Sequence, residues 1–348
     1  MANIGVLTFS DGLMQVIQVA NAAKPSTAWQ NSAGQWQAAK KFPASPPSYM
    51  ELGACQGAGG APLLFATKSS VTAAYAQCAT TGFVGGPSAD VTLTPISPTP
   101  SSAILDLFAV LLPSGLIGLF GTGADGDFNH LFTCTQTSSG SMSYSNWAAF
   151  QPEQNVINNI NQNGVRALHL PNGAVQLWSL TPGNNTPPQT LITCQSSDGV
   201  NWTGWSYVSC AGPNGAPAPQ LTRVDCALGR EFELGWDEGR NREFFLPIFL
   251  FGTDANGGLW FTSLDAPGSG AIAQGTTAVW QSMSPPAGAS GGALHLTVVP
   301  APNSSGAAQI FVWFGPPGQL WTQYQDYFLG ESWAWQWSGW QAIDMTTA

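Results

Sequence analysis

The sequence predicts an all-β fold, and three observations carry that prediction. Nine Lys/Arg and 19 Asp/Glu among 348 residues is a charged share of 8%, against about 25% in ordinary soluble chains, so long helices with solvated charged faces are excluded. The 40 Gly and 26 Pro suit many short strands joined by tight turns. The third observation is a block that recurs along the chain: strand, glycine turn, Leu-Trp strand, then Trp-x-x-Trp. With 44% hydrophobic residues, 15 Trp and 18 Phe, the chain can bury enough surface to offset its entropy, which excludes a disordered protein.

The block is clearest at the C-terminus. Residues 307–314 read as a strand, Pro316 to Gly318 as a turn, 320–325 (with Leu320 and Trp321) as a second strand, and 337–343 (with Trp337 and Trp340) as a third. The same order runs from 249–262 to 279–283, from 175–178 through 191–195 to 202–208, and from 116–127 through 131–136 to 147–150, where Trp147 and Phe150 stand for the paired tryptophans. Weaker copies run from 63–67 through 75–78 to 91–94, and from 14–19 through Trp29 to 36–39. Cys78, Cys134 and Cys194 recur at one place in three successive units, which marks them as packing thiols. A further strand precedes several units, at 104–110, 167–170 and 293–298.

Six units of about 58 residues, each with four strands, are the signature of a β-propeller blade. One such sheet cannot bury both faces alone; arranged radially, each packs on two neighbours. The sequence therefore predicts a single domain, 1–348, with blades near 1–46, 47–100, 101–155, 156–213, 214–287 and 288–348, and a charged insertion at 230–243. A β-sandwich would not need six similar blocks.

The pattern around 249–260, followed by Trp337-Ser338-Gly339-Trp340 in the last unit, resembles the blades of bacterial PLL-type propeller lectins. The likeness is specific in 246–283 and 307–343, partial in 104–210 and faint before 100. It implies sugar sites between blades. The matching positions are Trp202, Trp205, Trp337 and Trp340, with Gln195, Asp198, Gln323 and Gln325 on the preceding strand or turn. The chemistry fits: the apolar face of a pyranose stacks on indole while amides and carboxylates orient the hydroxyls. The plainer alternative is that these tryptophans are wedges between blades.

A second constellation lies on the first strands. Glu51, Asp106, His169, Asp225 and His295 each stand between two apolar residues, with Gly5 at the sixth position. If these side chains converge on the ring's axis, they make an acid/base or metal site, with His169, His295 and Asp106 suited to a divalent ion such as iron or zinc. Otherwise they line a solvated channel. The third feature is the insertion 230–243, which packs eight charged residues into fourteen positions and reads as a recognition loop for a protein partner or as a solvated hairpin. Asp125 and Asp127 resemble half a calcium loop, but His130 and Gln136 fall where Gly and Glu are required, so a hairpin turn explains them.

Several classes are excluded. No basic stripe exists to neutralise phosphates or an anionic membrane, and the net charge is −10. No stretch is long and apolar enough to span a bilayer. The start lacks a signal peptide's basic flank and apolar core, so the expectation is a soluble protein, cytoplasmic or released by a non-classical route. No hydrolase elbow, phosphate loop, zinc helix or dinucleotide fingerprint is present, so no cofactor is expected. The leading expectation is a non-catalytic glycan-binding propeller.

Overall fold

The computed structural model describes residues 2–9, 12–20, 26–37, 40–41, 49–60, 62–68, 71–78, 94–96, 104–125, 128–150, 165–181, 190–229, 232–233, 244–267, 272, 275–300, 308–315, 319–326 and 336–345. Among them the fold is all-β, with a single 3-10 turn at Pro213–Gly215 and no helix long and apolar enough to cross a membrane.

The strands form six antiparallel meanders in chain order. The first sheet is β1 (Ala2–Thr8), β2 (Met14–Ala20), β3 (Ser26–Trp29) and β4 (Lys40–Lys41). The second is β5 (Tyr49–Gln56), β6 (Pro62–Lys68), β7 (Val71–Cys78) and β8 (Thr94–Pro95). The third is β9 (Ile104–Leu111), β10 (Ile117–Asp125), β11 (Phe128–Thr135) and β12 (Ala148–Ala149). The fourth is β13 (Arg166–His169), β14 (Val175–Leu180), β15 (Leu191–Ser196) and β16 (Ser206–Ala211). The fifth comprises β17 (Leu221–Leu228), β18 (Phe232–Glu233), β19 (Phe244–Asp254), β20 (Leu259–Pro267) and β22 (Gln281–Met283); β21 (Thr277–Val279), which lies between β20 and β22 in the chain, joins the fourth sheet by pairing in parallel with β16. The sixth is β23 (Ala293–Pro300), β24 (Ala308–Phe314), β25 (Gln319–Asp326), β26 (Gln336–Trp337) and β27 (Gln341–Ile343).

The arrangement is a β-propeller. Each sheet's first strand packs on the first strand of the next, and β23 returns to β1. At that closure the Thr297 hydroxyl donates to the Ile4 carbonyl at 3.2 Å, across nearly the whole chain length. Among the described residues no sheet is shared between the two ends, and the ring closes through side chains: Ile4, Val6 and Val16 pack on Phe311 and Trp313. Apolar clusters likewise fill the boundaries between sheets, where each sheet buries the faces it cannot cover alone.

The repeat is visible in register. Cys78, Cys134 and Cys194 lie opposite Leu63, Leu119 and Leu177. One residue earlier on the third strand, Thr133 and Thr193 donate to the Leu119 and Leu177 carbonyls at 3.1 and 2.9 Å; Thr27 and Thr322 do the same to Val16 and Ile310. Asp125 pairs with Phe128 across a two-residue hairpin, as turn chemistry predicts. In the fifth sheet, Asp254 organises the turn by accepting the Asn256 and Gly258 amides and the Trp260 indole N–H, all at 2.8 Å.

Backbone packing is tight where the fifth and sixth sheets meet. Gly257 has φ +78, and a Cβ there would lie 2.4 Å from the Gly292 Cα. The Ala293 amide donates to the Gly257 carbonyl at 2.9 Å. Only glycine meets both demands.

Candidate functional site

Two elements of the fold gather chemistry: the outer parts of the boundaries between sheets, and the first strands near the axis. At the outer boundaries, pairing defines the equivalent positions. Trp337 lies opposite Gln325, Trp36 bridges Gln30, and Tyr144 bridges Gln136, each one step beyond the third strand's buried pair. Counting outward from the paired strands, Trp202 and Thr277 take the same place in the fourth and fifth sheets. The third unit is thereby corrected: Tyr144 holds the first aromatic position and Trp147 the second, a shift of three from the sequence alignment, because Ala148 pairs with Thr133. The strand expected over 337–343 is also broken, with β26 and β27 both pairing β25 around the Ser338-Gly339-Trp340 kink.

These first-position aromatics meet a second-strand aromatic of the preceding sheet edge-on. Trp36 meets Phe311 at 5.8 Å and 88°, Tyr144 meets Phe65 at 6.5 Å and 90°, Trp202 meets Phe120 at 5.7 Å and 81°, and Trp337 meets Phe251 at 5.5 Å and 78°. Edge-to-face geometry is the favoured one for rings with a negative face. Trp36, Trp202 and Trp337 remain half-buried, so each keeps part of its indole in solvent. Trp340 is also half-buried, stands edge-on to Phe314 at 6.2 Å, and donates its indole N–H to the Ser284 carbonyl of the fifth sheet at 3.1 Å.

The other positions singled out from sequence fall differently. Trp205 is 3% exposed against Phe150, so its ring is wall and offers no free face. Gln323 is 5% exposed and sits at the packing place that Cys134 and Cys194 hold in other sheets, paired with Ile310. Asp198 lies in solvent but is committed to its own loop. The Asn201 and Val200 amides and the Asn201 side chain donate to it at 2.7 Å, which holds its carboxyl well below the usual range. That loop docks on the third sheet, where a Cβ on Gly199 would lie 2.9 Å from the Leu112 Cβ. Gln195 is half-buried and its backbone amide donates to the Thr203 hydroxyl at 2.9 Å, whereas the Gln325 side chain lies outside the described residues.

Near the axis, the first strands carry a charged network that the sequence anticipated only in part. Arg166 of β13 bridges two neighbours: its Nη1 lies 2.6 Å from Asp106 of β9, and its Nε 3.8 Å from Asp225 of β17. Asp225 also accepts the Cys226 and Val298 amides, at 2.8 and 2.9 Å. Burial nevertheless pushes its carboxyl up to about 6, against the pull of Arg166 and those amides. Arg223 donates to His295 Nε2, which places the ring proton on Nδ1; burial first, then Arg223 and Arg166, hold His295 well below its ordinary value.

Residues named as a metal set have other partners here. His169 is exposed at the end of β13, His295 faces the Arg223 guanidinium, and Asp106 is paired with Arg166, so His295 and Asp106 face cations and not an ion site. Among the described residues no three His, Cys, Asp or Glu side chains gather around a point. The Glu51 side chain, and the insertion 230–243 apart from β18, lie outside the described residues. The arginines were missed because a first-strand scan for ligands passes over cations; the signal available was Arg223 two residues before Asp225, on the same face of β17.

No family model matches the chain, and no curated protein matches it. Solved structures do. SapL1 lectin, determined in complex with α-methyl fucoside, is 14% identical with a TM-score of 0.57, covering 99% of this chain and 96% of that one. The six-bladed propeller lectin of Aleuria aurantia is 12% identical, with a TM-score of 0.54 and coverage of 100% and 96%. The α-L-arabinofuranosidase Arb93A of Fusarium graminearum, in complex with an iminosugar inhibitor, is 10% identical, with a TM-score of 0.60 and coverage of 91% and 89%. At these identities the likeness establishes the β-propeller fold.

Proposed function

We propose that the chain is a carbohydrate-binding lectin of the PLL type that acts without chemistry, holding a glycan in aromatic clefts between blades. The observation carrying this reading is the repeated placement of half-buried Trp202 and Trp337 at equivalent boundaries, each backed edge-on by a phenylalanine that fixes its ring. A half-buried indole held by neighbouring rings suits a pyranose, and half-buried Gln195 with the hydroxyls of Thr203 and Ser338 supplies polar groups on the flanking positions. Repetition around the ring adds avidity for clustered glycans without strengthening any single contact. That SapL1 was solved with a fucoside supports a glycan as the partner. A glycan array tests the reading: Trp202→Ala and Trp337→Ala should each weaken binding while the fold survives, and an array silent to the parent protein overturns it.

A second reading, an enzyme, draws on the likeness to an arabinofuranosidase and on the raised Asp225 carboxyl. It is the weaker one, since Asp106 and Asp225 are buried and share one arginine, where a glycosidase needs two carboxyls open to the scissile bond. Hydrolysis of aryl glycosides that disappears in Asp225→Asn would reverse this ranking.

A further inference from the structure

Among the described residues, the boundary between the fourth and fifth sheets departs in sequence and in pairing from those that carry an edge-on ring. Its first position is Thr277 where Trp36, Tyr144, Trp202 and Trp337 stand elsewhere. In place of an edge-on ring, residues 277–279 add to the neighbouring sheet as a parallel strand, with Ser209, Cys210 and Ala211 opposite Thr277, Ala278 and Val279. The Trp280 amide then donates to the Ala211 carbonyl at 2.9 Å. Behind this strand Ala278 is 0% and Trp280 1% exposed, packed in one cluster with Trp178, Leu191 and Val208. The equivalent second-position ring of the sixth sheet, Trp340, keeps part of its surface in solvent.

We propose that residues 277–280 are a strap that fills the cleft between the fourth and fifth sheets with the protein's own chain. This boundary is thereby withdrawn from ligand, while those holding Trp36, Trp202 and Trp337 stay open. The proposal rests on the glycan reading for what the open clefts bind, but its structural content does not. The physics is that of strand addition: an outer strand's free backbone groups recruit an extended segment, and the side chains that arrive with it fill the pocket. A ring with a boundary sealed in this way presents its sites unevenly, so the spacing of glycans it bridges is set by which clefts remain.

The test uses the full chain labelled with 5-fluorotryptophan, with resonances assigned by single Trp→Phe substitutions. A soluble paramagnet should erase the Trp36, Trp202 and Trp337 signals and spare Trp280; equal loss at Trp280 overturns the proposal. In Ala278→Asp, which drives a charge into the strap's buried position, Trp280 should join the erased set. Continued protection of Trp280 in a folded Ala278→Asp protein shows that the strap is not its shield, and overturns the proposal also. Should that variant fail to fold, the parent's paramagnet result decides. Titrating the parent with methyl α-fucoside should move open-cleft signals and leave Trp280 fixed. Movement of Trp280 overturns the strap, whereas movement of none counts against the glycan reading and leaves the strap to the paramagnet.

Discussion

The boundary between the fourth and fifth sheets and the one between the fifth and sixth are built from the same repeat, yet they end differently. At the latter, the Trp337 ring lies 5.5 and 5.4 Å from those of Phe251 and Phe261 and stays half-buried. At the former, a threonine removes that ring, a strand is added, and Trp280 disappears into the core. Backbone pairing and ring packing are thus alternative ways to finish one joint. Only the second leaves its tryptophan partly exposed, so burial separates a wedge from a platform where residue type cannot.

The comparison can be broken by substitution. Trp280→Ala should cost the most, about 4 kcal/mol, because a fully buried indole leaves a cavity its neighbours cannot close. Chemical denaturation reads this directly, and a cost equal to that of Trp337→Ala would erase the distinction. Gly257→Val should follow, at about 3 kcal/mol or more, since the side chain meets Gly292 and the backbone is left-handed there. Its effect should centre on the joint between the fifth and sixth sheets, visible as faster amide exchange there.

Arg166→Met tests the axis instead of the rim, and should cost about 3 kcal/mol at neutral pH by leaving Asp106 and Asp225 buried without their cation. The sign with pH follows from Asp225. Its folded value of about 6 exceeds the ordinary 3.8, so the folded state holds a proton the unfolded chain has released, and its contribution falls as pH rises between those values. Removing Arg166 raises the folded value further, so the variant's deficit should shrink as pH falls toward 4. His295 opposes this in the parent. Its folded value lies below the ordinary 6.5, and its contribution is whole above that pH and lost on acidification. Unfolding free energy measured against pH separates the two slopes.

The smallest effect on stability should come from Trp202→Ala, about 1–2 kcal/mol for a half-buried ring, with glycan binding falling far more than stability. A loss of both in proportion would make Trp202 a wedge after all.

Much of this was legible in the residues. The recurrence of Leu-Trp strands, glycine turns and Cys78, Cys134 and Cys194 predicted the meander, and the structure places those thiols opposite equivalent leucines. The platform positions were legible only in part. The Trp-x-x-Trp pattern marks Trp202 and Trp337, but Trp147 and Phe150 mimic its spacing and hide Tyr144, and Trp36 is followed by Ala39 where the second ring would stand. His169 and His295 looked alike on paper, each between two leucines, yet one is exposed and the other buried against Arg223.

By itself, the sequence determined the repeat, the strand order and the turn chemistry, since these depend on neighbours a few residues apart. Only the tertiary structure decided which aromatic faces stay open, which carboxylates share Arg166, and that residues 277–279 serve the fourth sheet. Each is a contact between units, and a unit's own residues do not encode the surface that its neighbour will present.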